Sequence, residues 1–223
     1  KRAAGLKNLI TFTNTKACIE NVENLKPDLI INATGSKPLM PPIKGLKDFA
    51  DKKGSNVYSI LGTINNLKNF EFDGKEIVIV GGGAVGLDVV EFFAEHGAKV
   101  SIVERLPVLG KDLDVITRIA MMDIIKKKNV KVYTNTSLME VKADRFVVET
   151  SEKEITELKF DYGFVCLGMI SNKPVLADLE NHFSEKNIPV INIGDSVRAR
   201  KILEGVEEGR FTALNTLKKL NLL

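Results

Sequence analysis

One segment, residues 75–105, constrains the fold of this chain more than any other; its sequence is KEIVIVGGGAVGLDVVEFFAEHGAKVSIVER. An apolar strand runs into three glycines with Gly-x-Gly-x-x-Gly spacing, Gly81, Gly83 and Gly86. In such a strand–turn–helix unit the first glycine permits a tight turn, the second leaves room for a diphosphate, and the third lets the helix pack closely on the strand. The segment therefore predicts a βαβ unit whose turn holds the phosphates of a nucleotide.

The residues beside the glycines extend this prediction. The helix begins with Ala84 and Val85, whose amides, together with the positive end of the helix dipole, favour an anion. The next strand ends at Glu104, about 20 residues beyond the glycines, where a carboxylate can accept hydrogen bonds from a ribose diol. That carboxylate would also repel the 2′-phosphate of NADP(H), so NAD(H) is the preferred cofactor, although Arg105 beside it could offset part of the repulsion.

Other interpretations of the glycines remain open at this point. A glycine triplet also occurs in ordinary turns of α/β proteins, and the motif alone does not distinguish NAD from FAD or S-adenosylmethionine. The strand, helix and acid that follow in the expected order favour a nucleotide site over a structural turn.

Along the whole chain, short β-branched segments alternate with longer segments of helical period, which predicts the α/β class with a parallel sheet. Strands are expected at residues 9–13, 28–33, 76–80, 99–103, 130–133, 162–167 and 189–193, and helices at 84–95, 113–127, 174–182 and 200–220. Three alternating runs between residues 137 and 160 predict an antiparallel meander, and the Pro-, Gly- and Lys-rich stretch 36–54 predicts an extended linker.

Composition excludes several classes of function. The net charge of +3 over 223 residues is too small to indicate a nucleic-acid or membrane partner, and the sequence has no apolar run of the roughly 18 residues that a membrane span needs. Cys18 and Cys166 lie far apart without a histidine cluster, so neither a metal site nor a redox-active disulfide is expected. Cys166 is interpreted as a small buried apolar residue, and a cytoplasmic location is expected.

Two further segments resemble those of the flavoproteins with two dinucleotide-binding domains. INATGSKP at residues 31–38 resembles their Ala-Thr-Gly segment, and INIGDSVRARKILEGVEEGR at 191–210 resembles their Gly-Asp segment. The resemblance implies an FAD site that includes Ala33, Thr34, Gly35, Gly194 and Asp195, with Asp195 at the ribityl chain. It also implies that Gly168 approaches the nicotinamide of NAD(H) and that Asp88 lies near the flavin–nicotinamide interface, although Asp88 is equally well explained as a polar residue in the first turn of a helix.

In this family the NAD(P)H-binding domain is inserted into the FAD-binding domain. The resemblance therefore implies a Rossmann-like NAD(P)H-binding domain, a parallel sheet plus a β-meander, at residues 57–168. A partial FAD-binding domain of the same type is expected at residues 1–56 and 169–223.

Within the family, the chain is most similar to the C-terminal half of the iron–sulfur flavoproteins related to old yellow enzyme. These include 2,4-dienoyl-CoA reductase, 2-enoate reductase and NADH:flavin oxidoreductases. The resemblance implies that FMN and a 4Fe-4S cluster belong to an N-terminal barrel region of the same parent polypeptide. It also implies that the first FAD-binding strand and glycine loop lie upstream of Lys1. The chain is thus expected to be truncated, to bind FAD weakly or not at all, and to be inactive alone.

The expected activity of the parent is hydride transfer from NADH to FAD. This step needs placement of two cofactors rather than a side-chain acid or base, so no catalytic residue is named. Two alternatives stand beside it. One is a nucleotide-responsive regulatory module without redox chemistry, and the other is an electron-transfer subunit that completes its flavin site with a partner chain.

Overall fold

A computed structural model describes residues 6–219. It divides into two compact units, which we call the flanking unit, residues 6–37 with 171–219, and the inserted unit, residues 38–170. The strands are β1 Ile30–Asn32, β2 Ser36–Pro38, β3 Val57–Ser59, β4 Glu76–Val80, β5 Lys99–Val103, β6 Lys131–Tyr133, β7 Thr136–Val141, β8 Arg145–Thr150, β9 Ile155–Lys159, β10 Tyr162–Val165, β11 Met169–Ser171 and β12 Val190–Asn192. The helices are α1 Ile19–Glu23, α2 Leu46–Phe49, α3 Ile60–Asn66, α4 Ala84–Glu95, α5 Val115–Lys127, α6 Leu176–Ser184 and α7 Ile202–Lys219, with 3-10 turns at Leu67–Asn69 and Gly194–Ser196.

The inserted unit is built on a five-stranded parallel sheet in the order β3-β10-β4-β5-β6. Its central strand β4 is apolar on both faces because both are covered: Ile77 and Ile79 join one core cluster, and Val78 and Val80 join another. Such doubly covered strands are typical of parallel α/β sheets. The α/β fold with a Rossmann-like parallel sheet is confirmed.

The βαβ unit predicted from residues 75–105 is confirmed with the expected bounds of β4, α4 and β5. One face of α4 is buried through Leu87, Val90 and Phe93, none of which is accessible to solvent. Burying a side chain of this size stabilises the fold by roughly 1.5–3 kcal/mol. The helix ends before Gly97, whose φ of +86° is the left-handed conformation in which glycine commonly follows a helix.

The predicted meander is confirmed as the antiparallel sheet β7-β8-β9. Phe146 and Val148 of β8 are buried in the same cluster as Val78 and Val80. The meander therefore covers one face of the parallel sheet, the face opposite α4.

The prediction of an extended linker at residues 36–54 is wrong. The stretch contains β2 and the short helix α2, and Leu46 of α2 is inaccessible to solvent within the cluster that contains Phe146. Gly45 before it has φ +75°, and a Cβ there would lie 2.0 Å from the carbonyl oxygen of Val141. The burial of Leu46 and Ala50 explains why the compact unit starts at Pro38, whereas the predicted domain started at residue 57. The domain bounds stay a prediction.

The flanking unit has a smaller sheet, β1 paired in parallel with β12. The helix α6 closes its core, in which Ile30, Leu179 and Phe183 are buried. The helices predicted in this unit and the strands predicted at 28–33 and 189–193 are present with shifted ends, and the predicted helix end at residue 220 lies outside the described residues. In the chain as a whole, helices α1, α2 and α3 and strands β2, β3 and β11 were not predicted.

The strand predicted at residues 9–13 is wrong. These residues form no strand, and Ile10 and Phe12 are 75% and 58% exposed. A β-branched and aromatic sequence becomes a strand only where a neighbouring backbone accepts its hydrogen bonds. Among the described residues, no strand pairs with this segment.

None of the described helices combines the length with the apolar composition that crossing a bilayer would require.

Candidate functional site

The turn between β4 and α4 is held by backbone contacts that only glycine allows. Gly81 has φ +110°, and a Cβ on it would lie 2.2 Å from the carbonyl oxygen of Cys166. A Cβ on Gly86 would lie 1.8 Å from the carbonyl oxygen of Gly81. Real Cβ atoms do not approach so closely, so Gly86 is required by the packing of α4 against its own turn and Gly81 by the close approach of the chain after β10.

The middle glycine is different, because a Cβ on it would meet only a side chain, at ordinary contact distance. Gly83 is the N-cap of α4, and the nearest atoms to a Cβ on it would be the carboxylate oxygens of Asp112, at 3.5 and 3.6 Å. The amides of Ala84 and Val85 follow at the start of the helix. This arrangement places backbone donors and the positive end of the helix dipole beside Gly83, where the Asp112 side chain lies.

Glu104 lies at the carboxyl end of β5, beside the glycine turn. Its Oε2 accepts a hydrogen bond from the amide of Gly82 at 2.6 Å, and its Oε1 accepts one from the amide of Leu106 at 2.7 Å. The carboxylate is therefore fixed in position by the main chain on two sides. Each oxygen keeps a further lone pair, so both remain able to accept from a ribose hydroxyl. Arg105, the next residue, is exposed.

A cleft of about 830 Å³ contains these groups, and we call it the glycine-loop cleft. Its volume lies within the range of small-molecule sites, about 300–1,000 Å³. All its lining residues belong to the inserted unit: Leu39, Pro41, Ile43, Val80, Gly81, Gly82, Gly83, Ala84, Val85, Gly86, Val103, Glu104, Arg105, Leu106, Val108, Lys111, Asp112, Thr136, Ser137, Leu138, Cys166, Leu167 and Gly168. The structure thus brings together the eight residues that the sequence predicted for nucleotide binding, from Gly81 to Gly168.

The residues predicted for FAD meet at the carboxyl ends of β1 and β12 in the flanking unit. Ala33–Gly35 follow β1, and Gly194 and Asp195 follow β12. The Asp195 carboxylate accepts hydrogen bonds from Ser36 Oγ and from the Arg200 amide, both at 3.1 Å.

The glycines of this second group have open surroundings. Gly35 and Gly194 have φ of +71° and +66°, and a Cβ on either would meet no atom within 4 Å. Thr34 Oγ1 donates to the carbonyl oxygen of Asn172 at 2.6 Å, while the Gly194 amide donates to Glu208 Oε2 at the same distance. These turns are thus held by polar contacts rather than by steric exclusion.

The sequence comparison decides the family. The model of the pyridine nucleotide-disulphide oxidoreductase family matches residues 5–194, which is most of the chain. The chain belongs to this family. It is a pyridine-nucleotide-binding domain of a flavoprotein oxidoreductase, and the family binds FAD and NAD(P).

Individual relatives of this oxidoreductase domain are longer than the chain. It is 31% identical over 190 residues to an NADH oxidase of Thermoanaerobacter brockii, covering 85% of this chain and 28% of that protein. It is 30% identical over 214 residues to a dihydrolipoyl dehydrogenase of Acholeplasma laidlawii, covering 91% of this chain and 61% of that protein. A solved structure of 2-naphthoyl-CoA reductase with 2-naphthoyl-CoA matches with a TM-score of 0.72 at 25% identity, over 88% of this chain and 28% of that one.

Burial raises the pKa of two other residues of the oxidoreductase domain, Cys166 and Asp88. Burial raises the pKa of the Cys166 thiol to about 12, so the thiol is protonated at neutral pH and is a poor nucleophile. Partial burial also raises the pKa of the Asp88 carboxyl above its usual range. Asp88 lies one turn along α4 and outside the lining of the glycine-loop cleft.

The sequence did not indicate the loop at residues 106–112 as part of the cleft. The Gly110 amide donates to the carbonyl oxygen of Gly82 at 2.7 Å, and the Asp112 carboxylate accepts from the Ala84 amide. These contacts join residues 28 positions apart, and no spacing rule links them. Only the return of the chain after β5 to the glycine turn reveals them.

Proposed function

We propose that this chain binds NADH in the glycine-loop cleft and that its parent protein transfers a hydride from NADH to FAD. The observation that supports it most is the position of the Glu104 carboxylate, 2.6 Å from the amide of Gly82 in the glycine turn. An anion-binding helix start and a ribose acceptor thus lie within one cleft, as a bound adenosine diphosphate moiety requires.

The residues of the cleft have separate roles in this proposal. Gly83 and the amides of Ala84 and Val85 hold the diphosphate, Glu104 accepts from the adenosine ribose, and Gly168 lies on the nicotinamide side. In the flanking unit, Ala33–Gly35, Gly194 and Asp195 hold FAD, which supplies the hydride acceptor. The chain's own contribution is to bind and orient the nucleotide, because hydride transfer requires no proton donor or acceptor from a side chain.

The preference for NADH over NADPH follows from charge. The 2′-phosphate of NADPH would approach the Glu104 carboxylate, whose two oxygens are already directed by the main chain and are not free to turn away. Arg105 is exposed and offsets only part of this repulsion.

The proposal extends to the parent protein. The similarity to an NADH oxidase and to 2-naphthoyl-CoA reductase supports a parent similar to the iron–sulfur flavoproteins related to enoate reductases, with FMN and a 4Fe-4S cluster in a further region. The free cysteines Cys18 and Cys166 support a reducing, cytoplasmic location. The regulatory and electron-transfer alternatives are not favoured, since the named relatives are oxidases, dehydrogenases and reductases.

Calorimetric titration of the chain with NADH and with NADPH tests the proposal. We expect the native chain to bind NADH saturably and NADPH more weakly. In Glu104→Gln the ratio of NADPH affinity to NADH affinity should rise about tenfold, equivalent to roughly 1.4 kcal/mol. Glu95→Gln removes the same charge at the other end of α4 and is the matched control. Absence of NADH binding would overturn the proposal, and an unchanged ratio in Glu104→Gln would remove Glu104 from it.

Weak or absent FAD binding by the chain alone stays a prediction. It is tested by mixing the chain with FAD, removing free flavin by gel filtration and measuring visible absorbance. Flavin that remains with the protein would contradict it.

A further inference from the structure

The Asp112 carboxylate lies over the start of α4. Its Oδ1 and Oδ2 are each 3.2 Å from the Ala84 amide nitrogen, to which both accept a hydrogen bond. The same oxygens are the nearest atoms to a Cβ built on Gly83, at 3.5 and 3.6 Å. Gly83 itself has no side chain to cap the helix. One acidic side chain therefore covers both Gly83 and the first amide of the helix.

A neighbouring aspartate, Asp114, has a different role from Asp112. Asp114, two residues further along, is the N-cap of α5, and its carboxylate accepts from the amide and the hydroxyl of Thr117 at 3.0 and 2.6 Å. Asp114 thus caps the helix that it precedes, whereas Asp112 caps a helix 28 residues earlier in the chain. In the described part of the chain, the Asp112 carboxylate accepts hydrogen bonds from the Ala84 amide alone.

The contact conflicts with a bound diphosphate. A dinucleotide would use the same amide and the same dipole end, and two anions cannot share one donor without strong repulsion. Asp112 is exposed, and its hydrogen bonds of 3.2 Å are longer than usual for a charged acceptor. Rotation of its side chain into solvent would therefore clear the site.

We propose that Asp112 is an internal competitor for the dinucleotide diphosphate, which caps α4 without nucleotide and is displaced when NADH binds. This inference rests on the proposed NADH site and explains how the affinity of that site is set. Part of the binding free energy of NADH is spent on displacing Asp112, so the carboxylate weakens NADH binding. Removing its charge should strengthen binding, unlike most substitutions in a ligand site.

The test compares Asp112→Asn and Asp112→Ala with the native chain and with Asp123→Asn. Asp123 is an exposed acid on α5 paired with Lys127, so its substitution removes the same charge away from the cleft. Calorimetry measures the affinity of each protein for NADH and for adenosine, which lacks phosphate. We expect both Asp112 variants to bind NADH about fivefold more tightly, as for a charge removed at a helix N-terminus. Adenosine affinity should not change, and Asp123→Asn should match the native chain.

Thermal denaturation gives a second measurement. Without ligand, Asp112→Ala should unfold at a lower temperature than the native chain, because α4 loses an N-terminal cap. At saturating NADH this difference should disappear, since the diphosphate then caps the helix in both proteins.

The outcomes separate this inference from the proposed function. If the native chain binds NADH and the Asp112 variants bind it equally or more weakly, the competition is overturned and the NADH site stands. Equal tightening for adenosine, or in Asp123→Asn, would also overturn it. If neither the native chain nor the variants bind NADH, the proposed function and this inference fail together.

Discussion

The two units hold similar turns by different means. In the inserted unit a five-stranded sheet is packed on both faces, and Gly81 and Gly86 are confined by backbone atoms about 2 Å from where a Cβ would lie. In the flanking unit the sheet β1-β12 has two strands, the core cluster contains three buried residues, and Gly35 and Gly194 have open surroundings. Both turns follow the carboxyl ends of parallel strands. The difference shows that packing excludes a Cβ from the first turn, whereas in the second only the positive φ favours glycine.

The largest loss of stability is expected from substitutions in the two hydrophobic cores. Phe93 and Phe183 are both buried, Phe93 in the large cluster of the inserted unit and Phe183 in the small cluster of the flanking unit. Phe93→Ala should destabilise by about 3–5 kcal/mol, because its dense surroundings cannot collapse into the cavity. Phe183→Ala should lower the free energy of unfolding by a smaller amount. It should leave NADH binding unchanged, since the cleft lies within residues 38–170.

Urea unfolding measures the free energies for this pair, and hydrogen exchange locates the loss in one unit or the other. Equal losses of stability, or loss of NADH binding in Phe183→Ala, would contradict the contrast between the two cores.

Two glycine substitutions should act in opposite directions. Gly86→Ala places a Cβ 1.8 Å from a backbone oxygen and should destabilise by about 3 kcal/mol while abolishing NADH binding. Gly205→Ala in α7 meets no atom within 4 Å and should stabilise by up to about 1 kcal/mol through helix propensity. Unfolding in urea gives both values. A stable, NADH-binding Gly86→Ala would mean that the turn is not confined as described.

The two cysteines should differ in reactivity. Cys18 is exposed in the flanking unit, whereas Cys166 is buried in the inserted unit with a pKa of about 12. At pH 8, iodoacetamide should therefore modify Cys18 and leave Cys166 unmodified. Mass spectrometry should show one adduct on the native chain and no adduct on Cys18→Ser. Rapid modification of Cys18→Ser would contradict the burial of Cys166.

The Cys166 thiol also predicts a pH dependence. Its pKa is raised in the folded state, so its contribution to stability is complete below the unfolded value, about 8.5, and is lost as the pH rises toward the folded value. Cys166→Ser should remove this part of the alkaline destabilisation.

The smallest change in stability is expected from substitutions in exposed ion pairs. Hydrogen bonds from Lys142 and Arg145 lower the pKa of Glu157 in the meander, as those from Arg200 and the Gly194 amide lower the pKa of Glu208 in the flanking unit. A lowered folded pKa contributes stability above the unfolded value and loses it as the pH falls. Glu157→Gln should therefore reduce the melting temperature slightly at neutral pH and not below about pH 3. Glu208→Gln should show the same trend, and a large effect at neutral pH would contradict the solvent screening of both pairs.

Part of the fold follows from local sequence alone. The apolar run before Gly81, the three glycines and the acid Glu104 after the second strand predicted the βαβ unit, because the whole motif lies within 31 consecutive residues. The alternating meander around Phe146 was predictable for a similar reason, since strand period and turn are local properties.

The rest was decided by tertiary structure. Leu46 became a core residue in a stretch with linker composition because the meander and the sheet cover it, and residues 9–13 formed no strand because β-pairing depends on a neighbour that a local sequence does not specify. Asp112 reaches Ala84 only because the chain returns to the glycine turn after β5. Sequence by itself thus determined the βαβ unit, whose motif is local, whereas the long-range packing of the chain, which brings Cys166 against Gly81, decided which other residues share its cleft.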